Sequence, residues 1–241
     1  MATRLENIVI ATSDQAELAR FYSELLGWQL IESPEEIDVR APESQGWLLD
    51  LVFEPVTEPK TGKNRLHLDL ASSSAEDQAA IIQRAKDLGA WSVDIGQGDV
   101  PWEVMADPHG NEFCVLEPRD IYRDTGALAA IVVDAADPHT LAGFWTEAAG
   151  WPVGKDYGDA VGLAPPNGKG PWLEFVPNTT PKTGQNRLHL DIRPIPGETK
   201  AANVTRLTAL GAHPIDIGQG DVPWEVMADP ENNEFCVLNR A

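Results

Sequence analysis

The residues in this chain best suited to proton transfer or nucleophilic chemistry recur at fixed spacing. His67 and Asp69 stand two apart and Cys114 follows 47 residues after His67; His189, Asp191 and Cys236 repeat that spacing 122 residues later. An imidazole beside a carboxylate can take or give a proton near neutral pH. A cysteine can act as a nucleophile when a neighbouring base or cation lowers its pKa. Nothing basic adjoins either cysteine in sequence, so each reads first as a small residue packed in a strand. Trp102 and Trp224, each after a proline, have aromatic faces that either stack on a planar ligand or fill the core.

The strands that carry these residues decide where they point. In residues 65–70, Leu66, Leu68 and Leu70 alternate with Arg65, His67 and Asp69, so one face is apolar and the other ionisable. Helices with single apolar stripes need the apolar face, which leaves His67 and Asp69 looking into whatever the open side of the sheet encloses. The same parity sends Glu112, Cys114 and Leu116 to the open side, with His189, Asp191, Glu234, Cys236 and Leu238 in the second copy.

The copies are extensive. DIGQGDVPWEVMADPHGNEFCVL (94–116) returns at 216–238 with 21 of 23 positions identical, and KTGKNRLHLDL (60–70) returns as KTGQNRLHLDI (182–192). A period of this length, against about 20–50 for solenoids and propellers, makes each copy a small module. Module one is expected over 1–118, a linker ordered across 119–125, and module two over 126–241. Each reads as a strand (5–11), a helix capped by Asp14 and closed by Gly27, β-like segments (47–53 and 66–70), a helix over 75–88, and a hairpin (102–106 and 112–116) turning at 107–111. Asp137, Pro138 and Gly150 repeat the first helix's start and stop. The glycines of 96–98 and 218–220 lack the helix and lysine of a phosphate loop and read as turns. His109, His139 and His213 differ between the copies in context and are expected at the surface.

A formal charge of −20, from 38 acidic and 18 basic side chains, argues against nucleic acid and anionic membrane as partners. No apolar run is long enough to span a bilayer, and residues 1–7 lack the features of a signal peptide, so a cytoplasmic protein with reduced thiols is expected, monomeric or homodimeric.

The tandem βαβββ pattern, with FYSELLG (21–27) ending the first helix and DPHGN (107–111) in the hairpin, resembles the vicinal oxygen chelate superfamily. That superfamily includes glyoxalase I, extradiol dioxygenases, fosfomycin-modifying enzymes and bleomycin-resistance proteins, and the chain looks most like its glyoxalase-like domains. The resemblance implies an α+β fold in which two modules form an internal pseudo-dimer around a curved mixed sheet. Ligands would come from the first half of one module and the second half of the other, giving two clefts. One gathers Ala130, Glu174, His67 and Cys114; the other gathers Asn7, either Asp50 or Val52, His189 and Cys236. Neither carries the usual His and Glu set, because Asn7 and Ala130 replace the first-strand ligand and the cysteines replace the last-strand glutamate.

The reading is therefore of a small-molecule protein whose cleft, without the usual metal site, binds an organic ligand through Asn7, Asp69, Cys114, His189, Asp191, Cys236, Trp102 and Trp224. The alternative is a metal-dependent lyase or isomerase acting next to a carbonyl. In that alternative Glu174 and His67 move the proton, and His67, Glu174 and His189 are the candidate ligands of a divalent metal. The Glu174 and His67 cleft is expected to be the working one, with cleft shape set by loops at 34–45 and 156–169.

Overall fold

In the computed structural model, which describes residues 2–33, 36–47 and 49–239, strands and helices follow one another in two similar series. Module one contains β1 (Thr3–Thr12), α1 (Gln15–Leu26), β2 (Gln29–Glu32), β3 (Ile37–Arg40), β4 (Asp50–Pro55), β5 (Leu66–Leu70), α2 (Ala75–Asp87), β6 (Trp91–Ser92), β7 (Glu103–Ala106) and β8 (Glu112–Val115). Module two contains β9 (Leu128–Ala135), α3 (Pro138–Ala149), β10 (Val153–Asp156), β11 (Val161–Leu163), β12 (Trp172–Pro177), β13 (Leu188–Pro194), α4 (Lys200–Ala209), β14 (His213–Pro214), β15 (Glu225–Ala228) and β16 (Glu234–Val237).

These strands form two mixed eight-stranded sheets, and each sheet takes half its strands from each module. The first runs β14-β15-β16-β13-β1-β4-β3-β2 and the second β10-β11-β12-β9-β5-β8-β7-β6. The modules meet at two antiparallel seams, β1 with β13 and β5 with β9. Alternation along the strands then sorts the side chains. Leu66, Leu68 and Leu70 enter a single apolar core shared by both modules, with Phe21, Phe113, Phe144, Trp145 and Phe235.

Local chemistry fixes the element ends. The Asp14 carboxylate accepts from the Glu17 backbone N–H, and Gly27, at φ 67°, closes α1 in the left-handed region that glycine tolerates. Asp137 caps α3 through the Thr140 N–H, with Pro138 in the first turn. In the hairpin turn, Asp107 accepts from the backbone of His109 and Asn111 and from Tyr22 Oη of α1 at 3.1 Å. Asp229 does the same work in module two, taking the Trp145 Nε1–H at 3.1 Å. Gly110 in this turn has φ 83°, and its counterpart Asn232 holds φ 66°, a conformation that a short amide side chain tolerates.

Some expectations need adjustment. The strand expected at 47–53 is Asp50–Pro55, with Trp47 before it and residue 48 outside the described residues. The stretch 34–45, read as a loop, contains the strand β3, with residues 34 and 35 outside the described residues; 156–169 likewise contains β11. His139 and His213 are exposed as expected, but His109 is only half-exposed. Its ring lies 3.0 Å from both Glu17 Oε2 and Thr12 Oγ1, tying the hairpin turn to the start of α1.

Candidate functional site

The open face of the second sheet holds His67, Asp69, Cys114, Glu174, Val132 and Ala130. The β5/β9 register sets His67 opposite Val132 and Asp69 opposite Ala130, while β12 brings Glu174 beside Val132. The linker lies over this face. A 3-10 turn at Asp120–Tyr122 drives Tyr122 into the cleft, where its hydroxyl donates to Glu174 Oε1 at 2.7 Å. Tyr122 packs with Val104, Cys114, Leu116 and Ala129, and Trp102 and Trp172 border the group. The Arg119 guanidinium caps the plug, 5.4 Å from the Trp102 ring centroid and 5.9 Å from that of Tyr122. Burial pushes the Glu174 carboxyl up, partly offset by the Tyr122 hydroxyl, and burial beside Glu174 pushes the Tyr122 phenol far above its usual range. Glu174 is therefore engaged by the chain itself.

The open face of the first sheet uses the same frame but remains accessible. Asn7 stands opposite Asp191 and Val9 opposite His189 across the β1/β13 seam, while Asp191 pairs with Cys236 on β16. Asn7 Nδ2 donates to Asp191 Oδ2 at 3.3 Å. A cavity of about 240 Å³ opens here, lined by Asn7, Val52, Glu54, Asp191, Trp224 and Leu238 among others. Leu116 is 2% exposed beneath the linker, whereas its counterpart Leu238 is only half-buried.

Register also resolves the second-strand position. Glu174 pairs with Val132 as Val52 pairs with Val9, so Val52 rather than Asp50 is its counterpart. Asp50 is held by Arg40, whose Nη2 lies 2.5 Å from Oδ2. The missing carboxylate arrives from the adjacent strand instead. Asp38 on β3 faces Val52, and the matching residue beside Glu174 is Gly162. Burial, with Glu36 and Asp50 nearby, pushes the Asp38 carboxyl up to about 6. Burial also raises Glu54, against the pull of His189.

Glu36, Asp38, Glu54 and Tyr122 were not singled out from the sequence, although Glu54 shares the parity of Asp50 and Val52. The first three lie on β3, just before it, or at the end of β4, and the strand expected there stops at residue 53. The one available signal for Tyr122 was an Ile-Tyr pair within an otherwise polar linker. Glu112 and Glu234 also stand on the open-face parity, yet they serve the scaffold. Lys60 Nζ lies 2.8 Å from Glu112 Oε1, and Asn64 N–H donates to Oε2 at 3.1 Å; Lys182, Asn186 and Glu234 repeat both contacts.

Each cleft brings together a buried imidazole, carboxylate and thiol: His67, Asp69 and Cys114, or His189, Asp191 and Cys236, with their ligand atoms all within 4.8 Å. His189 Nε2 is 3.5 Å from Asp191 Oδ1 and 3.6 Å from Cys236 Sγ. A tetrahedral zinc with bonds of roughly 2.0–2.3 Å spaces its ligand atoms about 3.3–3.8 Å apart, so the donor set fits a thiophilic divalent cation. Asp69 Oδ1 and Asp191 Oδ1 are buried and accept no hydrogen bond among the described residues. Without such an ion, burial and the neighbouring aspartate push both thiols far above the usual thiol range. Protonated thiols of this kind are poor nucleophiles.

The architecture is shared with known proteins. Glyoxalase I from Zea mays superposes with a TM-score of 0.67 at 16% identity, over 99% of this chain and 92% of that one. A protein of Bacillus subtilis subsp. subtilis strain 168, provisionally assigned as a dioxygenase, gives 0.65 at 13% identity, over 98% and 84%. At these identities the likeness is one of fold. No curated protein sequence matches the chain. The family model for the glyoxalase-like domain matches twice, over residues 7–116 and 130–238. With both halves matched and the strands exchanged between modules, the chain belongs to the glyoxalase-like domain family of the vicinal oxygen chelate superfamily, as two tandem modules.

Proposed function

We propose that this protein binds a small organic molecule in the cleft of the first sheet, among Asn7, Val52, Glu54, Asp191, Trp224 and Cys236. The observation that carries the reading is the difference between the clefts. Tyr122 and Arg119 fill the Glu174 and His67 cleft, while the equivalent space beside Asp191 is a cavity of about 240 Å³. That volume lies below the ~300–1,000 Å³ of sites for drug-sized ligands and suits a compact metabolite. The expectation that Glu174 and His67 form the working cleft meets a physical obstacle, since substrate access there requires the plug to leave.

A ligand that binds only the folded chain raises the melting temperature by mass action, so thermal-shift screening of metabolites tests the reading. Hits are expected to lose their effect in Trp224→Leu and keep it in Glu174→Gln. The opposite pattern would return the site to the Glu174 cleft.

The spacing of His189, Asp191 and Cys236 favours a second reading, a metal-supported lyase or isomerase. A divalent ion there would supply Lewis-acid stabilisation of developing negative charge. The chain's own part would be to orient the ligand through Asn7 and Trp224 and to exclude water. Elemental analysis separates the two readings. A stoichiometric divalent metal, lost in Cys236→Ser and accompanied by turnover of the methylglyoxal–glutathione adduct, supports the lyase; metal-free protein that still binds its ligand supports the binding role.

A further inference from the structure

The two clefts share one frame, and the chain itself shows what that frame accepts. Trp102 and Trp224 occupy equivalent places in the repeated hairpins. In the second cleft the ring of Trp102 receives a guanidinium, that of Arg119, which is itself paired with Glu117 at 2.7 Å. In the first cleft Trp224 lines an open cavity with Glu36, Glu54 and Asp191. Asp38 joins the same face from β3, opposite Val52.

The cations on this face are each already engaged, His189 with Asp191 at 3.5 Å. Arg193, the basic residue lining the cavity, is bound to Glu6 Oε1 and to the Asn239 carbonyl, both at 2.8 Å. Arg40 is bound by Asp50. Asp191 is 6% exposed, and its Oδ1, 3.5 Å from His189 Nε2 but outside hydrogen-bond geometry, has no hydrogen-bond partner among the described residues. Asp38 Oδ1 is in the same condition. An aromatic face, an excess of carboxylates over cations and a cavity much larger than one ion together describe a receptor for an organic cation.

We infer that the first cleft takes a small organic cation with a guanidinium or ammonium head, seated against Trp224 with Glu54, Asp191 and Asp38 as counter-charges, in the manner of Arg119 on Trp102. The inference rests on the proposed small-molecule role and specifies its ligand class. It needs no first-strand metal ligand, which accords with Asn7 at that position.

Isothermal titration of the full chain at pH 7.5 with phenylguanidinium, and with the neutral phenylurea of nearly the same shape, tests it. The cation is expected to bind one per chain and at least roughly tenfold more tightly than the urea. Glu54→Gln and Trp224→Leu should each weaken it by roughly 3- to 30-fold, with melting temperatures confirming that both variants fold. Glu174→Gln, in the plugged cleft, should leave it unchanged.

Equal binding of urea and cation would overturn the inference while leaving the small-molecule role intact, as would a neutral or anionic metabolite that binds in a Trp224-dependent way when phenylguanidinium does not. Binding of zinc alone, abolished by Cys236→Ser with neither organic probe bound, would overturn it in favour of the metal reading. A chain that binds no small molecule of any charge would sink both the inference and the reading beneath it.

Discussion

Tyr122 and Asp38 are two of the side chains that set the clefts apart, and each makes a measurable difference to stability. Tyr122→Phe removes the donor to Glu174 and leaves a buried carboxylate short of a partner, a change expected to cost about 1–3 kcal/mol. Tyr122→Ala also empties the apolar plug and should cost about 3–5 kcal/mol, read from urea unfolding. Asp38 works in the other direction. Its carboxyl holds a proton more tightly in the folded chain, so its ionisation opposes folding; that cost is absent below the ordinary value of 3.8, grows as pH rises, and is complete above about 6. Asp38→Asn should therefore raise the melting temperature at pH 7.5 by about 2–4 °C, corresponding to ~1 kcal/mol after allowance for its partial exposure, and do nothing near pH 3.5. A melt that rises equally at both pH values would contradict this account. A residue whose charge destabilises the empty fold is what a site for a cation would contain.

At the scale of elements, the repeated blocks of sequence explain themselves once their contacts are seen. The Lys and Asn that bound KTGKN and KTGQN, and the NEF that follows each hairpin turn, hold each other: Lys60 and the Asn64 N–H close on Glu112, and Lys182 and Asn186 on Glu234. Glu112→Ala should strand the partly buried Lys60 ammonium and cost roughly 2–4 kcal/mol in thermal or urea unfolding, while Glu112→Gln should cost less because the Asn64 N–H keeps an acceptor. Helix ends and hairpin turns were legible in the sequence because their signals are local: Asp14 and Gly27 around α1, or Asp107 with Asn111 in the turn. Strand parity was legible for the same reason, and it placed His67, Asp69, His189 and Asp191 on the face away from the core. The short strands β3 and β11 were not, since an alternation confined to three or four residues, such as Ile37–Arg40, is too brief to separate a strand from a loop. The plug was hidden for a different reason. Tyr122 finds its partner Glu174 on another strand 52 residues away, and no periodicity links them.

At the scale of the whole molecule, neither module owns a sheet. Each eight-stranded sheet needs both, and the apolar core runs through both without a break. Unfolding is therefore expected as one cooperative transition, with far-ultraviolet circular dichroism and tryptophan fluorescence coinciding in urea; two separated transitions would show the modules to be independent. Residues 1–118 alone should either stay unfolded or pair with a second copy, giving twice the monomer mass in light scattering, because their β1 and β5 edges lack the seams that β13 and β9 supply.

The linker has a consequence that reaches past this fold's chemistry. Two separate copies of a module, related by a twofold axis, must present identical cavities, and any change to one is a change to both. A covalent connection passes one cavity and not the other, so the join itself ends that equality. Here the segment around Tyr122 makes one cavity interior, with Glu174 as its buttress. The other cavity carries Asp38 where its twin has Gly162. Fusion of this kind separates the demands of holding the molecule together from those of recognising something outside it.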